Sequence, residues 1–325
     1  MVVEGSRRTA ISLGVAVLLA AALLYYSLRG IEWRQVAAIV ARARLSLLSL
    51  CAAMATLTLF LRAVRWRVLL NAEGSVPISA AFWATAAGMF GNNFLPARAG
   101  ELVRTFMISA GTGLGGAFVL ATALSERVVD AIVLVMVSAL VLLTLDAPPG
   151  WLAHAARPFA AAGLVGVVVI LILPLLGSLG HAAIARAPVP HALRRRLAGT
   201  VEGVLRGFRA FHDARRLAGF LALTSLIWLL DATGAVVGGA ALGLRIHMAV
   251  AFLLMAGLGV ASALPSTPGY VGIYQFVAVS MLTPFGFSRT DAIAYILVAQ
   301  ALAYIVIGVW GSVGLARYRR ARRSM

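Results

Sequence analysis

The sequence predicts an all-α, polytopic integral membrane protein that is built from two related halves. Three observations predict this class. Of the 325 residues, 62% are hydrophobic and only 12% are charged, and this charged share is about half of that in a soluble chain. Six apolar runs are long enough to cross a bilayer, and two further apolar regions are each interrupted by a proline–glycine turn.

The six continuous runs contain about 20 residues or more each, which is the helix length that spans a hydrocarbon core of about 30 Å. The first run follows Arg7 and Arg8 and resembles a signal peptide. It lacks a small-x-small cleavage site at its end, so we expect a retained transmembrane helix. The runs lie at 9–28, 45–69, 116–145, 158–180, 218–243 and 291–316.

The two interrupted regions, 78–109 and 247–283, share the pattern Leu-Pro-x-x-x-Gly, which begins at Leu95 and again at Leu264. Region 78–109 is shorter than the roughly 40 residues that two crossings require. A turn cannot face lipid, because its amide and carbonyl groups would be unpaired. Both regions are therefore predicted to be re-entrant hairpins that line a polar cavity. For 247–283, two short crossings are an alternative.

The positions of the arginines predict the orientation. All 28 basic residues are arginine, and the net charge is +17. Segment 181–216 holds eight of them and the tail 317–323 holds five, which predicts that both segments and both termini are cytoplasmic. Segments 45–145 and 218–316 are then inverted-topology repeats of one domain, 1–325. Loop arginines beside an anionic leaflet explain the charge better than nucleic-acid binding does.

Segment 181–216 is predicted to be a cytoplasmic amphipathic linker. Its residues 193–211 have an apolar helical face with arginines around much of the rest, a pattern that is typical of a helix on the membrane surface. The alternative is an ordinary positively charged loop. The apolar face contains Leu193, Leu197, Val201, Val204, Leu205, Phe208 and Phe211.

The first turn places Arg98, Glu101 and Arg104 at membrane depth, where charges are costly and are usually paired or functional. Glu101 and Arg104 are three residues apart, so they can pair on one helical face. Two arginines against one carboxylate leave one to bind an anion, and the planar guanidinium suits phosphate. The alternative is an internally neutralised structural cluster. The predicted binding residues of this turn are Asn92, Asn93, Pro96, Arg98, Gly100, Glu101 and Arg104.

Run 116–145 contains Glu126, Arg127 and Asp130. The two carboxylates are one helical turn apart and repel each other unless a cation lies between them, which Arg127 or an arginine of the first turn could supply. The carboxylates are predicted either to fix helix packing or to carry a proton in a coupled cycle. Asp231, alone in its apolar run, is a weaker candidate of the same kind.

The second turn is uncharged. Ser266 or Thr267 is predicted to cap a helix that begins at Pro268, whose free amides could bind a phosphate or carboxylate. The alternative is a tight helix–helix contact through small residues. The predicted binding residues are Pro265, Ser266, Thr267, Pro268, Gly269, Tyr270, Tyr274 and Gln275.

Arg62, Arg65, Trp66 and Arg67 lie at the end of run 45–69. This composition favours an anchor at the membrane interface. Lipid-headgroup entry at Arg62 and Arg65 is the alternative.

Motifs of several enzyme classes are missing from the sequence. It has no His-Glu-x-x-His motif, no Ser-x-x-Lys pair and a single cysteine, Cys51, and its five histidines do not form a metal set. We therefore expect no catalytic residues, no metal and no cofactor. A membrane-embedded transferase or hydrolase, with Glu101 and Asp130 as acid and base, is an alternative. A scaffold that docks a partner enzyme through 181–216 is another.

Taken together, the motifs resemble the transmembrane region of lysylphosphatidylglycerol synthases, a flippase-like family, over nearly the whole chain. The matching motifs are Arg62-x-x-Arg65-Trp66, Asn92-Asn93-x-x-Pro96-x-Arg98-x-Gly100-Glu101-x-x-Arg104, Glu126-Arg127-x-x-Asp130 and Pro265-Ser266-Thr267-Pro268-Gly269-Tyr270-x-Gly272.

This resemblance implies a bacterial inner-membrane protein that moves lipids between leaflets. In the two-domain synthases a separate soluble domain makes the lipid. This chain stops at Met325, so we expect no lipid synthesis, and a lipid-modifying enzyme is a possible partner. The predicted function is movement of an anionic phospholipid or lipid-linked phosphate headgroup between leaflets, with Arg98 and Arg104 on the phosphate. The lipid, the direction, the energy source and the oligomeric state are left open.

Overall fold

The computed structural model describes residues 21–94, 99–145, 150–154, 156–172, 191–263 and 268–323. Within these ranges every regular element is a helix, which confirms the all-α class. Single 3-10 turns lie at Ala210–His212, Pro268–Tyr270 and Thr283–Phe285. The α-helices in chain order are α1 (21–28), α2 (Trp33–Ala41), α3 (Leu45–Leu70), α4 (Ile78–Phe94), α5 (Gly100–Thr112), α6 (Gly116–Thr144), α7 (Gly150–Ala153), α8 (Ala156–Ile172), α9 (His191–Arg209), α10 (Ala214–Ala241), α11 (Met248–Ala263), α12 (Ile273–Leu282) and α13 (Arg289–Arg323).

Four of these helices, α3, α6, α10 and α13, are long and apolar enough to cross a membrane. They coincide with four of the six predicted runs, and the chain is a polytopic membrane protein. The other two runs, 9–28 and 158–180, lie partly outside the described residues. The described part of the first forms α1, and that of the second forms the 17-residue α8.

Both interrupted regions consist of short helices. α4 has 17 residues and α5 has 13, whereas α11 has 16 and α12 has 10. A full crossing takes about 20, so each region is broken as the sequence predicts. The turns between the helices, 95–98 and 264–267, lie outside the described residues. Entry and exit of each region on one side of a membrane stays a prediction.

The predicted start of the last short helix is wrong. Pro268–Tyr270 forms one 3-10 turn, and α12 begins at Ile273 after the N-cap residue Gly272. Gly269, Tyr270 and Gly272 have φ angles of 75°, 58° and 89°, in the left-handed region that interrupts a right-handed helix. The backbone N–H of Gly272 donates to Gln275 Oε1 at 2.7 Å and closes the new helix start.

Neighbouring helices follow the pattern that a two-fold repeat predicts. α3 packs along α10, α4 packs on α5 and α13, and α11 packs on α12 and α6. Exchanging α3 with α10, α4 with α11, α5 with α12 and α6 with α13 reproduces these pairs. α3 and α10 run antiparallel, because Arg44 N–H donates to Ala241 O at 2.8 Å and Arg65 donates to Thr224 at 3.1 Å. Equivalent helices run antiparallel when the two-fold axis lies in the membrane plane. The inverted repeat itself stays a prediction.

Helix α9 packs on α6 through small residues. A Cβ added at Gly203 would lie 2.7 Å from Ala117 Cβ, and one at Gly207 would lie 2.7 Å from Ala121 Cβ. Of the predicted apolar face, Leu205 and Phe211 are buried in the protein, whereas the side chains of Leu193 and Leu197 are not described. The helix therefore uses a glycine stripe against the protein, a contact that the sequence reasoning missed. Membrane docking of its remaining surface stays a prediction.

Gly88 and Gly100 set the close approach of α4 and α5, and we predict that this hairpin fails when Gly100 is enlarged. A methyl group at Gly100 would overlap the carbonyl oxygen of Gly88 and the side chain of Asn92. Gly100→Ala is expected to lower the free energy of unfolding by about 1–3 kcal/mol through overpacking, measured by thermal unfolding in detergent. Gly111→Ala in the same helix is the control, because nothing lies within 4 Å of its added Cβ. Equal stability of the two variants would contradict the prediction.

Candidate functional site

Helices α3, α5, α6 and α10 bring four arginines and four carboxylates into one cluster of ion pairs, called the ion cluster below. Its members come from positions as far apart as Arg62 and Asp231, which are separated by 169 residues. Among the described residues the formal charges of the cluster balance. The ion cluster consists of Arg62, Arg65, Glu101, Arg104, Glu126, Arg127, Asp130 and Asp231.

Arg65 lies at the centre of the ion cluster and is 2% exposed. Its NH1 and NH2 donate to Asp130 at 2.6 and 2.9 Å, and its Nε donates to Glu126 at 3.2 Å. NH1 also donates to Thr224 Oγ1 on α10 at 3.1 Å. The two-pronged contact with Asp130 uses the fork geometry of the guanidinium. Arg65 therefore supplies the cation that the two carboxylates of α6 require.

The predicted interfacial anchor at Arg65 and Trp66 is wrong. Trp66 is fully buried, and its indole N–H donates to Thr122 Oγ1 at 3.1 Å. α3 ends at Leu70, so both residues lie near its end as predicted, but their side chains are buried within the protein. Arg67 binds the carbonyl of Val76 in the following turn at 2.6 Å.

Arg104 forms the predicted pair with Glu101, with Nε 2.5 Å from Glu101 Oε2. Its NH1 also binds Glu126 at 2.8 Å, and its NH2 donates to the carbonyl of Ala123 at 2.9 Å. The guanidinium stacks on Trp66 at 4.5 Å from the ring centre. The protein thus occupies all three nitrogens of Arg104, so this arginine is not the one left over for an anion.

Glu101 binds two arginines and one amide. Besides Arg104, it accepts from Arg127 Nε at 2.9 Å and from Asn92 Nδ2 at 3.2 Å. The Arg127 side chain is 44% exposed, the largest fraction in the ion cluster. Asn93 lies next to Asn92 at the end of α4 and takes part in none of the ion pairs. Arg127 is therefore the cation of the cluster that a ligand could reach.

Arg62 joins the ion cluster to the second half of the chain. Its NH2 lies 2.7 Å from Asp231 Oδ2 on α10, and its NH1 lies 3.9 Å from Asp130 Oδ2 on α6. The guanidinium also lies over Trp228, 5.5 Å from the ring centre. Asp231 is thus paired, whereas the sequence shows it as an isolated charge.

A small polar cavity of about 20 Å³ lies within the ion cluster. This volume holds about one water molecule, so the conformation described has no space for a lipid headgroup beside Arg65 and Arg104. Two buried polar atoms on its lining residues, Thr85 Oγ1 and Asn92 Oδ1, have no hydrogen-bond partner within the described ranges. The residues Pro96 and Arg98 of the first turn lie outside those ranges.

The second turn is held by a separate set of polar side chains. Gln300 Nε2 donates to the carbonyl of Gly269 at 2.5 Å, and Gln275 Nε2 donates to Gln300 Oε1 at 2.8 Å. Tyr304, one turn after Gln300, also hydrogen bonds to the Gly269 carbonyl. Tyr270 stacks on Tyr274 with ring centres 4.7 Å apart. Pro265, Ser266 and Thr267 lie outside the described residues, as does the side chain of Pro268.

The ends of the two interrupted regions are neighbours. α4 packs against Pro268–Tyr270, and the rings of Phe94 and Tyr304 are 5.9 Å apart. Sequence reasoning missed Gln300 and Tyr304. Their signal was present, because two polar side chains four residues apart occupy one face of an otherwise apolar helix.

Residues 11–311 match the model of the family described as lysylphosphatidylglycerol synthase TM region. The chain belongs to this family. It is also 29% identical over 287 residues to glycosyltransferase AglD from Haloferax volcanii, a match that covers 78% of this chain and 46% of that protein. The chain thus spans about half the length of this relative. No solved structure matches the chain.

We predict that loss of Arg65 destabilises the fold strongly. Arg65→Gln leaves Glu126 and Asp130 without their shared cation, and breaking a buried ion pair costs about 3–5 kcal/mol. Thermal unfolding in detergent measures this loss. The control is Arg206→Gln, because Arg206 is 46% exposed in its pair with Glu73 and such pairs contribute about 0–1 kcal/mol. In a double-mutant cycle, Asp130→Asn is expected to recover part of the loss, and strict additivity would contradict the coupling.

We also predict that Gln300 stabilises the second turn. Gln300→Leu removes the acceptor of the Gln275 amide and one donor to Gly269 O. Leaving a buried amide unpaired costs about 1–3 kcal/mol, again read from thermal unfolding. Ser312→Ala in the same helix is the control, since that exposed hydroxyl donates to Val309 O of its own helix and has no other partner among the described residues. A loss no greater than that of the control would show that the network is dispensable.

Proposed function

We propose that the protein moves an anionic lipid headgroup between the two leaflets of a membrane. The observation that carries this proposal is the ion cluster itself, eight charged side chains held within and beside helices of membrane-spanning length. Charges inside a membrane are costly, and they typically mark the path of a polar substrate. Family membership supports the assignment to a lipid-handling protein.

Interrupted helices support transport more than a purely structural role. α5, which carries Glu101 and Arg104, is one of the short helices, and α4 reaches the second turn. In transporters of this kind, substrates bind where broken helices of two repeats meet, and one repeat moves against the other. The links between the halves, Arg62 to Asp231 and Arg65 to Thr224, are the contacts that such a movement would change.

The headgroup is proposed to bind at the exposed side of the ion cluster. Among the described residues, Arg127 pairs with Glu101, and its side chain is 44% exposed. Arg98 is a fifth arginine, three residues before Glu101 in the sequence. A phosphate could therefore take Arg127 and Arg98, while Arg104 holds Glu101 in place. This division of roles differs from the sequence prediction, in which Arg104 binds the phosphate directly.

A membrane-embedded transferase is the second candidate, and the name of the relative, glycosyltransferase AglD, favours it. Only 46% of that protein is matched, and nothing places its transferase activity in the matched half. The hydroxyl that Arg65 contacts, that of Thr224, also donates to the carbonyl of Phe220, so it is not poised as a nucleophile. We therefore favour a non-enzymatic carrier in the bacterial inner membrane, with a lipid-modifying enzyme as its partner.

We predict that Arg127→Gln and Arg98→Ala each slow leaflet exchange. The assay uses vesicles that contain the purified protein and a fluorescent phosphatidylglycerol, with a membrane-impermeant quencher that reports the outer leaflet. A lost hydrogen bond to a charged group is worth about 1.5–3 kcal/mol, so the rate should fall by about tenfold or more. Arg206→Gln is the control, because this exposed arginine of α9 lies outside the ion cluster.

Wild-type exchange in both variants, at equal protein content, would refute headgroup binding by these arginines. A new lipid product that mass spectrometry detects after incubation with a sugar donor would instead support the transferase.

A further inference from the structure

A second, larger cavity of about 290 Å³ lies between α3, α10, α11 and α13. Protein interiors are close-packed and contain few voids larger than a water molecule. This cavity is instead partly open to the outside of the helix bundle, so a molecule from the membrane can enter it. Its walls are mainly alanine, glycine, leucine, valine and methionine side chains, which favour an apolar one.

The cavity is long and has one polar end. On α3 it extends from Leu48 to Thr58, which corresponds to about 15 Å at 1.5 Å per residue. Since α3 and α10 are antiparallel, Thr58 and Asp231 lie at the same end of the cavity. The hydroxyl of Thr58 is buried and has no hydrogen-bond partner within the described ranges. The shape and polarity are those of an amphiphile with a narrow apolar tail.

The polar end of the large cavity adjoins the ion cluster. Asp231 lines the large cavity, its partner Arg62 lines the small polar cavity, and the two side chains are 2.7 Å apart. A single ion pair thus separates the two spaces. A lipid whose tail lies in the large cavity would present its polar head at this pair.

The glycines of α10 keep the large cavity open. A Cβ added at Gly234 would meet no atom within 4 Å, and one at Gly238 would lie in ordinary contact with Tyr295 at 3.7 Å and Cys51 at 3.9 Å. Elsewhere in the protein a helix glycine allows a neighbouring side chain to pack closely, as Gly311 does for Phe90. Glycine weakens a helix interior relative to alanine, and no neighbouring side chain requires it at Gly234. Gly234 therefore keeps this part of the cavity free of side-chain atoms.

We propose that the large cavity binds one hydrocarbon chain of a membrane lipid, with the lipid head at the Arg62–Asp231 end. That this lipid is the transported one rests on the proposed function, in which case the Arg62–Asp231 end and the Arg127 side of the ion cluster are two successive positions of its head. The proposal that a hydrocarbon chain binds there rests on the shape, the apolar walls and the polar end of the cavity. The protein thus shields part of the tail as well as the head.

The test uses the full chain in vesicles and a phosphatidylglycerol with a photoactivatable diazirine midway along one acyl chain. After illumination, mass spectrometry locates the adducts. We expect them on cavity residues such as Cys51 and Met54. Gly234→Leu should lower this labelling by roughly tenfold, because the added side chain occupies the space of the lipid chain. Gly308→Leu is the matched control, since its added Cβ also meets nothing within 4 Å and it does not line the cavity.

Adducts confined to outward-facing residues such as Leu57 and Leu229, or equal cavity labelling in Gly234→Leu and wild type, would overturn the proposal. If Gly234→Leu does not fold, Ala299→Leu fills the same cavity from α13. If the wild type exchanges lipid without labelling of the cavity, binding of a hydrocarbon chain in the large cavity is refuted and the proposed function stands. If the cavity is labelled but no lipid is exchanged, the proposed function is refuted and the binding of the hydrocarbon chain stands. Excess glycerol phosphate, a head without a tail, should not reduce the labelling.

Discussion

The pairing of Arg65 with two carboxylates of α6 is the constraint on which the rest of the structure depends. Glu126 and Asp130 are one turn apart on a helix long enough to span a membrane, and neither could remain charged there without a cation. Arg65 supplies it from α3 and reaches Thr224 on α10 with the same guanidinium. Glu126 also binds Arg104, so the short helix α5 is fixed to the same point. One set of charges therefore fixes the positions of four helices from both halves of the chain.

Small residues let the backbones approach closely enough for these pairs to form. Gly88 faces Gly100 across the first interrupted region. Gly203 and Gly207 bring α9 onto α6 between about one and two and a half turns before Glu126. In a membrane, helices associate through packing and hydrogen bonds rather than through exclusion of water, so such contacts carry much of the stability. The ion cluster and the glycine contacts are thus complementary. The glycines set the distances between helices, and the charges select which helices meet.

The sequence predicts the structural features that depend on local spacing, and it does not predict contacts between residues that are far apart in the chain. Hydropathy alone predicts the four long helices, and a three-residue spacing predicts the Glu101–Arg104 pair. The partners of Arg65 are 61 and 65 residues away, and arginines beside a tryptophan near a helix end suggest an interface instead. The start of α12 was misplaced because a proline after two hydroxyl residues is a strong local signal. The left-handed conformation of Tyr270, which tertiary contacts impose, overrides that signal.

Arg62 gives the ion cluster a way to rearrange while the guanidinium itself stays paired. Its guanidinium lies 2.7 Å from Asp231 of the second half and 3.9 Å from Asp130 of the first. Leaving a buried guanidinium with no partner would be costly, and an exchange between two acceptors avoids that cost. The Asp231 carboxylate that Arg62 would leave is 21% exposed, so solvent could compensate part of its charge. A side chain with two available partners is the kind of two-state element that a moving interface requires. Since the Arg62–Asp231 pair lies between the polar cavity and the apolar one, a shift of Arg62 toward Asp130 would join the two spaces.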